Sequence, residues 1–371
     1  MEYGTEGFYS VKAFGAYGDG RTDDTAAIQA CLDETQRQGG TAYFPPATYL
    51  IEGTLYFGDR AGACGNAFSV QGMGQGNSRS ILKKRNAGNI AEINTTGKVS
   101  VSQLGFSHEG PSGSNLLMNV GFGHGIYDCQ FSHVTGNKDD MLQFNGSYID
   151  LVNSSFGNAE PDSYAIRCTT MPGKININSN IFDCRIHGTG KGLIVDSSKG
   201  NRPEGLKVSR NMFLNVGKEQ ITVKTILHLD ISNNMLDQCS GASILLDPED
   251  QALCGVYILG NYISPAQDRD QGIAIKIVDN GLLTLTTNIA NNMIAYSGYG
   301  LIAGSNAVHL NVSNNAFNDI THDAVVMHNC RGAVLTSNTF WMCAEHDIVS
   351  DYTDSRTAEA PVIANNQTGR M

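Results

Sequence analysis

The sequence predicts an all-β chain wound as a right-handed parallel β-helix of about eleven coils, closed at its amino-terminal end by one helix. Two observations carry this reading: a short phrase recurs along the chain, and the stretches between its copies alternate in hydrophobicity instead of following a helical period. The phrase is polar-Asn-x-apolar. It reads Ser179-Asn180-Ile181-Phe182, Arg210-Asn211-Met212-Phe213 and Asn233-Asn234-Met235-Leu236, then Gly260-Asn261-Tyr262-Ile263, Asn291-Asn292-Met293-Ile294 and Asn314-Asn315-Ala316-Phe317. Ser337-Asn338-Thr339-Phe340 and Asn365-Asn366-Gln367 close the series, and weaker copies end at Phe106, Phe131 and Phe156. Taken at positions 104, 129, 154, 180, 211, 234, 261, 292, 315, 338 and 366, the spacings run from 23 to 31 residues. A unit of this size cannot bury its own apolar side, so the units must stack.

The segments Gly192-Leu193-Ile194-Val195-Asp196 and Gly272-Ile273-Ala274-Ile275-Lys276 alternate, which means strands with one face inward. The Asn is expected at a sharp corner, because Asn tolerates the left-handed backbone region and bonds locally. Stacked Asn side chains would also bond one another along the axis. Eleven coils at the strand spacing give a rod of about 50 Å. The LxxLxL spacing of a leucine-rich solenoid is missing.

The amino-terminal piece differs. Asp23-Asp24-Thr25 precedes Ala26–Leu32, in which Ile28, Cys31 and Leu32 share one helical face, and Gly39 supplies a stop. A helix over about 24–38 is therefore expected to cover the open end of the solenoid, which would otherwise be an exposed edge. Residues 1–40 form the cap, residues 41–57 start the coils, and residues 1–371 form one domain.

Composition excludes several classes. The chain has 371 residues, 25 Lys plus Arg against 36 Asp plus Glu, and a formal charge of −11. Without a basic stripe this excludes a nucleic-acid binder. No apolar run is long enough to insert in a membrane. The opening MEYGTEGFYS lacks the basic and apolar regions of a signal peptide. Nine cysteines without CxxC pairs read as small buried hydrophobes, not a zinc framework.

The stretch Val11-Lys12-Ala13-Phe14-Gly15-Ala16-Tyr17-Gly18-Asp19-Gly20-Arg21-Thr22-Asp23-Asp24-Thr25-Ala26-Ala27-Ile28-Gln29, followed by the Gly39 to Pro46 segment, resembles the opening of the pectate-lyase-like β-helix superfamily. The resemblance implies the fold and a glycan laid along the outer face of the solenoid. It does not choose among polysaccharide lyases, glycoside hydrolases, uronan epimerases and phage tailspikes. The polygalacturonase motifs are not matched: Gly123-His124-Gly125 precedes Lys138-Asp139-Asp140, and Arg-Ile-Lys is absent.

Strand register predicts which residues line the groove. Inward pairs are assigned as Leu142/Phe144, Ile166/Cys168, Leu193/Val195, Ile221/Val223, Ile244/Leu246 and Ile273/Ile275. Side chains alternate faces, so a middle outward column carries Gln143 and Arg167. A following column carries Asp196, Lys224, Asp247, Lys276 and, further on, His328. Asp139, Asp140 and Glu219 sit at the turns before these strands.

Asp196 and Asp247, about 10 Å apart by two strand spacings, with Lys224 between them, are expected to stay ionised and act as base or nucleophile. Glu219, off that ladder, is expected to be the proton donor. Asp140 joins the catalytic set, and Arg167, Gln143, Lys276, His328 and Asp139 the substrate-binding set. The same ladder also reads as solvated cross-strand ion pairs that fix register. A lyase would instead use Lys224 or Arg167 as base, with Ca2+ as a cofactor; a hydrolase needs none. His322, Asp323 and His328 have metal-ligand residue types but read as turn and surface residues, so no metal site is assigned.

The expected function is cleavage of a polysaccharide, by glycoside hydrolysis ahead of elimination. The alternative is a tailspike-type glycan binder, as a homotrimer, at a virion surface or outside the cell. A catalytically silent binding solenoid is the third reading.

Overall fold

In the computed structural model three sheets run side by side along the chain, of 15, 14 and 12 strands, and every strand pairing is parallel. The structure describes residues 7–369 apart from 59–65, 74–78, 120, 135, 158–159, 171–175, 198–200, 266–268 and 354–358. A full turn of the solenoid contributes one strand to each sheet, whereas the first and last described turns add none to the third. Gly40–Tyr43, Ala47–Leu50 and Leu55–Tyr56 form one early turn; Asn311–Ser313, Ala316–Ile320 and Val325–Met327 form a late one. The second sheet has three strands before Leu104–His108, where the Asn phrase begins. The phrase therefore undercounts the coils at the amino-terminal end.

The helix spans Thr25–Gln38 and buries Ile28, Cys31 and Leu32 against the first coils. It is inserted between coils instead of preceding them, because Phe8–Ser10 already pairs with Gly40–Tyr43. Asp24 does not cap it through its side chain. Its carboxylate accepts from the backbone N–H groups of Tyr17 (2.6 Å) and Gly18 (2.9 Å) and so ties down the loop ahead of the helix. Gly39 ends the helix at φ 71°.

The corner between the first and second sheets explains the repeated phrase. Asn211, Asn234, Asn261, Asn292, Asn315, Asn338 and Asn366 stack along the axis, each donating from Nδ2 to the next Oδ1 at 2.9–3.1 Å. The same Oδ1 also accepts the backbone N–H of the Asn before it, as Asn292 Oδ1 does from Asn261 at 2.9 Å. The left-handed residue is not the stacked Asn but the one before it: Arg210, Asn233, Asn291, Asn314, Ser337 and Asn365 have φ between 55° and 59°. Asn180 is not a member. It pairs with Lys207 in the first sheet, and Cys184 occupies the ladder position, its N–H donating to Asn211 Oδ1 at 2.9 Å. The phrase recurred by chance four residues early, because Asn180-Ile181-Phe182 ends in a strand of the first sheet.

Inside, identical residues stack on one another. Phe106, Phe131 and Phe156 are parallel with centroids 5.0 and 4.7 Å apart, and Phe317 lies on Phe340 at 5.0 Å. A polar column also runs inside. Lys84, His108 and His133 are in register on three neighbouring strands, each at most 2% exposed. Lys84 Nζ donates to the Glu52 and Gly53 carbonyls (2.8 and 2.6 Å). His108 bridges the Gly88 carbonyl (2.8 Å) and the Gly110 N–H (3.1 Å). Burial, with His108 beside it, pushes the His133 imidazole down to about 3. Eight cysteines are free among the described residues, six of them buried; Cys64 lies outside those residues. No described helix is long and apolar enough to cross a membrane.

Candidate active site

The third sheet presents its outer face at Leu142–Phe144, Tyr164–Cys168, Lys191–Val195, Ile221–Val223 and Ala242–Leu246. Register places Gln143, Arg167, Ile194, Thr222 and Leu245 in one outward column. Asp196, Lys224 and Asp247 follow in the next, because Val195, Val223 and Leu246 are partners.

Arg167 is the centre. Its Nε donates to Asp140 Oδ2 and its Nη1 to Asp196 Oδ2, so one guanidinium spans carboxylates from the coil before and the coil after. Asp140 reaches it from a turn, where Oδ1 accepts the Tyr164 N–H at 2.9 Å. Asp196 Oδ1 is out of water and unpartnered. Burial opposes the Arg167 charge, but the two carboxylates outweigh it and hold its pKa above the ordinary guanidinium value.

Tyr164, 8% exposed, has the Arg167 guanidinium 5.3 Å and the Lys191 ammonium 5.0 Å from its ring centre. Burial pushes its phenol up, and the Glu219 carboxylate adds to the push. Glu219 stands at the turn before Ile221–Val223 and leans toward Gly241, where a Cβ would lie 3.0 Å from Glu219 Oε1. Beside it, Lys218 Nζ donates to Asp162 Oδ1 at 2.7 Å. Asp140, Arg167, Asp196, Tyr164 and Glu219 therefore face one short stretch of the third sheet.

The remaining expected residues lie elsewhere or are otherwise engaged. Lys224 does not bridge Asp196 and Asp247; it pairs with Glu249, which the sequence reading overlooked. Glu249 is brought back by its own N–H donating to the Lys224 carbonyl at 2.8 Å, a turn with no sequence signature. Asp247 accepts from Asn280 Nδ2 at 3.1 Å. Asp139 braces a turn, accepting the Gly113 N–H at 2.6 Å.

Lys276 is in the wrong column. Ile275 and Ile277, not Ile273 and Ile275, pair with Ile244 and Leu246, so Val278 takes the place assigned to Lys276. The strand Ile273–Ile277 starts two residues earlier than its inward pair, and alternation alone does not detect an even slip. His328 lies six strands from Arg167, about 29 Å at the strand spacing, and bonds Asp351 at 2.8 Å. His322 and Asp323 face Glu345 and His346 instead of His328.

Comparison with known proteins agrees with this fold. Residues 8–244 match the family described as rhamnogalacturonase A/epimerase, pectate lyase-like. The chain is 29% identical over 232 residues to alginate lyase 7 of Azotobacter vinelandii, covering 59% of this chain and 24% of that protein. It thus spans about a quarter of that relative's length. Tailspike protein 3 of bacteriophage CBA120 superposes with a TM-score of 0.60 at 10% identity, over 97% of this chain and 61% of the tailspike. The catalytic unit of a GH87 alpha-1,3-glucanase from Streptomyces thermodiastaticus superposes with a TM-score of 0.57 at 13% identity, over 99% of this chain and 69% of the other. At these identities the two structures show the shared fold. The family match covers well over half of the chain, which therefore belongs to the pectate-lyase-like rhamnogalacturonase A/epimerase family.

Proposed function

We propose that the protein cleaves a polysaccharide by glycoside hydrolysis on the outer face of the third sheet, outside the cell or at a particle surface. The observation that carries this reading is the Arg167 guanidinium shared by Asp140 and Asp196. It fixes two carboxylates side by side on the outer face, and such a pair can activate water or attack an anomeric carbon. Glu219 lies nearby without a guanidinium partner among its described contacts, and serves as the proton donor to the leaving oxygen. Tyr164 and Lys191 border the same surface and orient the sugar.

Elimination fits less well. A lyase base must be unprotonated, whereas Arg167 is held protonated by two acids and the Lys224 ammonium is engaged by Glu249. The alginate lyase and tailspike likenesses keep polyuronates and surface glycans among the substrates to test.

The test is a panel of neutral and uronic polysaccharides, read both as new reducing ends and as ultraviolet absorbance of an unsaturated product. Reducing ends without absorbance, lost about 10²–10⁴-fold in Glu219→Gln, support hydrolysis here. Absorbance that survives Glu219→Gln would sink the reading.

A further inference from the structure

The second sheet carries an exposed aromatic cleft at its carboxyl-terminal end, on a different face of the solenoid from Arg167 and several coils away. It is about 460 Å3 in volume and is lined by Trp341, Tyr296, Met293, Met342, Asn318 and Asp319 among others. Trp341, the chain's only tryptophan, is 44% exposed and Tyr296 is 40% exposed. Burial would shelter both rings, so exposing them in one cleft costs solvation unless something covers them.

Local backbone geometry holds them outward. Ala295, Asn318 and Trp341 are partners across three strands. Tyr296, Asp319 and Met342 follow them, all left-handed with φ of 53–56°, an unusual choice for Tyr and Met. The Trp341 ring lies over Gly369, where a Cβ would come within 2.5 Å of it. The rim is polar: Arg269 pairs with Asp319 and lies 5.6 Å from the Tyr296 ring centre. Asn318 Oδ1 has no hydrogen-bond partner.

We infer that this cleft is a second glycan-binding site, separate from the cleaving face, and that it takes a neutral polysaccharide chain. The C–H face of a pyranose ring packs on an indole or phenol ring, while its hydroxyls need amide, carboxylate and guanidinium partners at the edge. Both halves of that requirement are present. The ligand is neutral because the rim's cation, Arg269, is already committed to Asp319, and the chain as a whole is at −11. The inference rests on the polysaccharide reading above but not on which residues cleave.

The sole tryptophan makes the test direct. Emission of Trp341 is followed during titration with a soluble β-1,3-glucan, an α-1,3-glucan oligosaccharide, a galactomannan and an alginate oligosaccharide. The same glycans are cast into native gels for retardation. A neutral glycan is expected to shift the emission saturably. Trp341→Ala and Tyr296→Ala are expected to weaken retardation by about tenfold or more while leaving cleavage of short oligosaccharides unchanged. Glu219→Gln is expected to abolish cleavage and keep retardation, so failure of the cleaving site and failure of this site read differently. The inference is overturned if no neutral glycan perturbs Trp341, if Tyr296→Ala binds as the parent does, or if alginate binds more tightly. It is also overturned if emission depends on protein concentration alone, which would make a second copy of the chain the occupant.

Discussion

The asparagine ladder offers the sharpest quantitative prediction, Asn292→Ala. Asn292 is 2% exposed and its side chain makes four hydrogen bonds. Oδ1 accepts from the N–H and Nδ2 of Asn261 (2.9 and 3.0 Å), and Nδ2 donates to the Ile258 carbonyl (2.8 Å) and Asn315 Oδ1 (2.9 Å). At roughly 1 kcal/mol net for each bond, with partners left unmet in the interior, the loss is about 3–5 kcal/mol. Asn366 is the control. It ends the described ladder, is half-buried, and makes three such bonds, so Asn366→Ala is expected to lose about 1–2 kcal/mol. Urea unfolding gives the totals, and hydrogen exchange at the Asn261 amide shows whether the loss is local, as stacked repeats predict. If Asn292→Ala costs under about 1 kcal/mol, or no more than Asn366→Ala, the ladder is not a source of stability and the argument fails.

Three further outcomes follow from the site and the core. Arg167→Lys keeps the charge but cannot span both carboxylates, so turnover of whichever polysaccharide is cleaved should fall at least about tenfold, with the secondary structure unchanged by circular dichroism. His133 has its folded pKa depressed to about 3, while the unfolded imidazole protonates near 6.5. The unfolded state therefore binds more protons between these values, and stability falls as pH drops from about 6.5 toward 3, by up to about 1.4 kcal/mol per pH unit. His133→Phe, which removes the titrating ring from the interior, should flatten that acid limb in urea titrations at pH 4 and 7. Gly192→Ala would place a Cβ 2.1 Å from the Gln220 carbonyl, forcing strands apart beside Arg167, and should cost about 1–3 kcal/mol by thermal unfolding.

What the sequence determined by itself is the solenoid. Repetition is one-dimensional information: an Asn-x-Phe phrase at 23–31 residues demands stacking, and the apolar faces and the helix over Thr25–Gln38 follow from local periodicity. Register within a coil was also local where strands begin at a uniform offset, which is how Asp196, Lys224 and Asp247 fell into one column. It failed at Ile273–Ile277, where a loop of different length moved the inward pair by two residues and carried Lys276 out of that column. Asn180 failed for a related reason, since a phrase of three residues recurs by chance in an Asn-rich chain.

Ion-pair partners were decided only in three dimensions. Arg167 has acidic neighbours on both adjacent coils, and Lys224 has Asp196, Asp247 and Glu249 within one coil of it. Which carboxylate each cation holds depends on turn geometry and side-chain reach, neither of which alternation encodes. The aromatic cleft belongs to the same class. Tyr296 and Trp341 are 45 residues apart, and only the stacking of three coils, with the backbone turned left-handed at Tyr296, sets them on one surface.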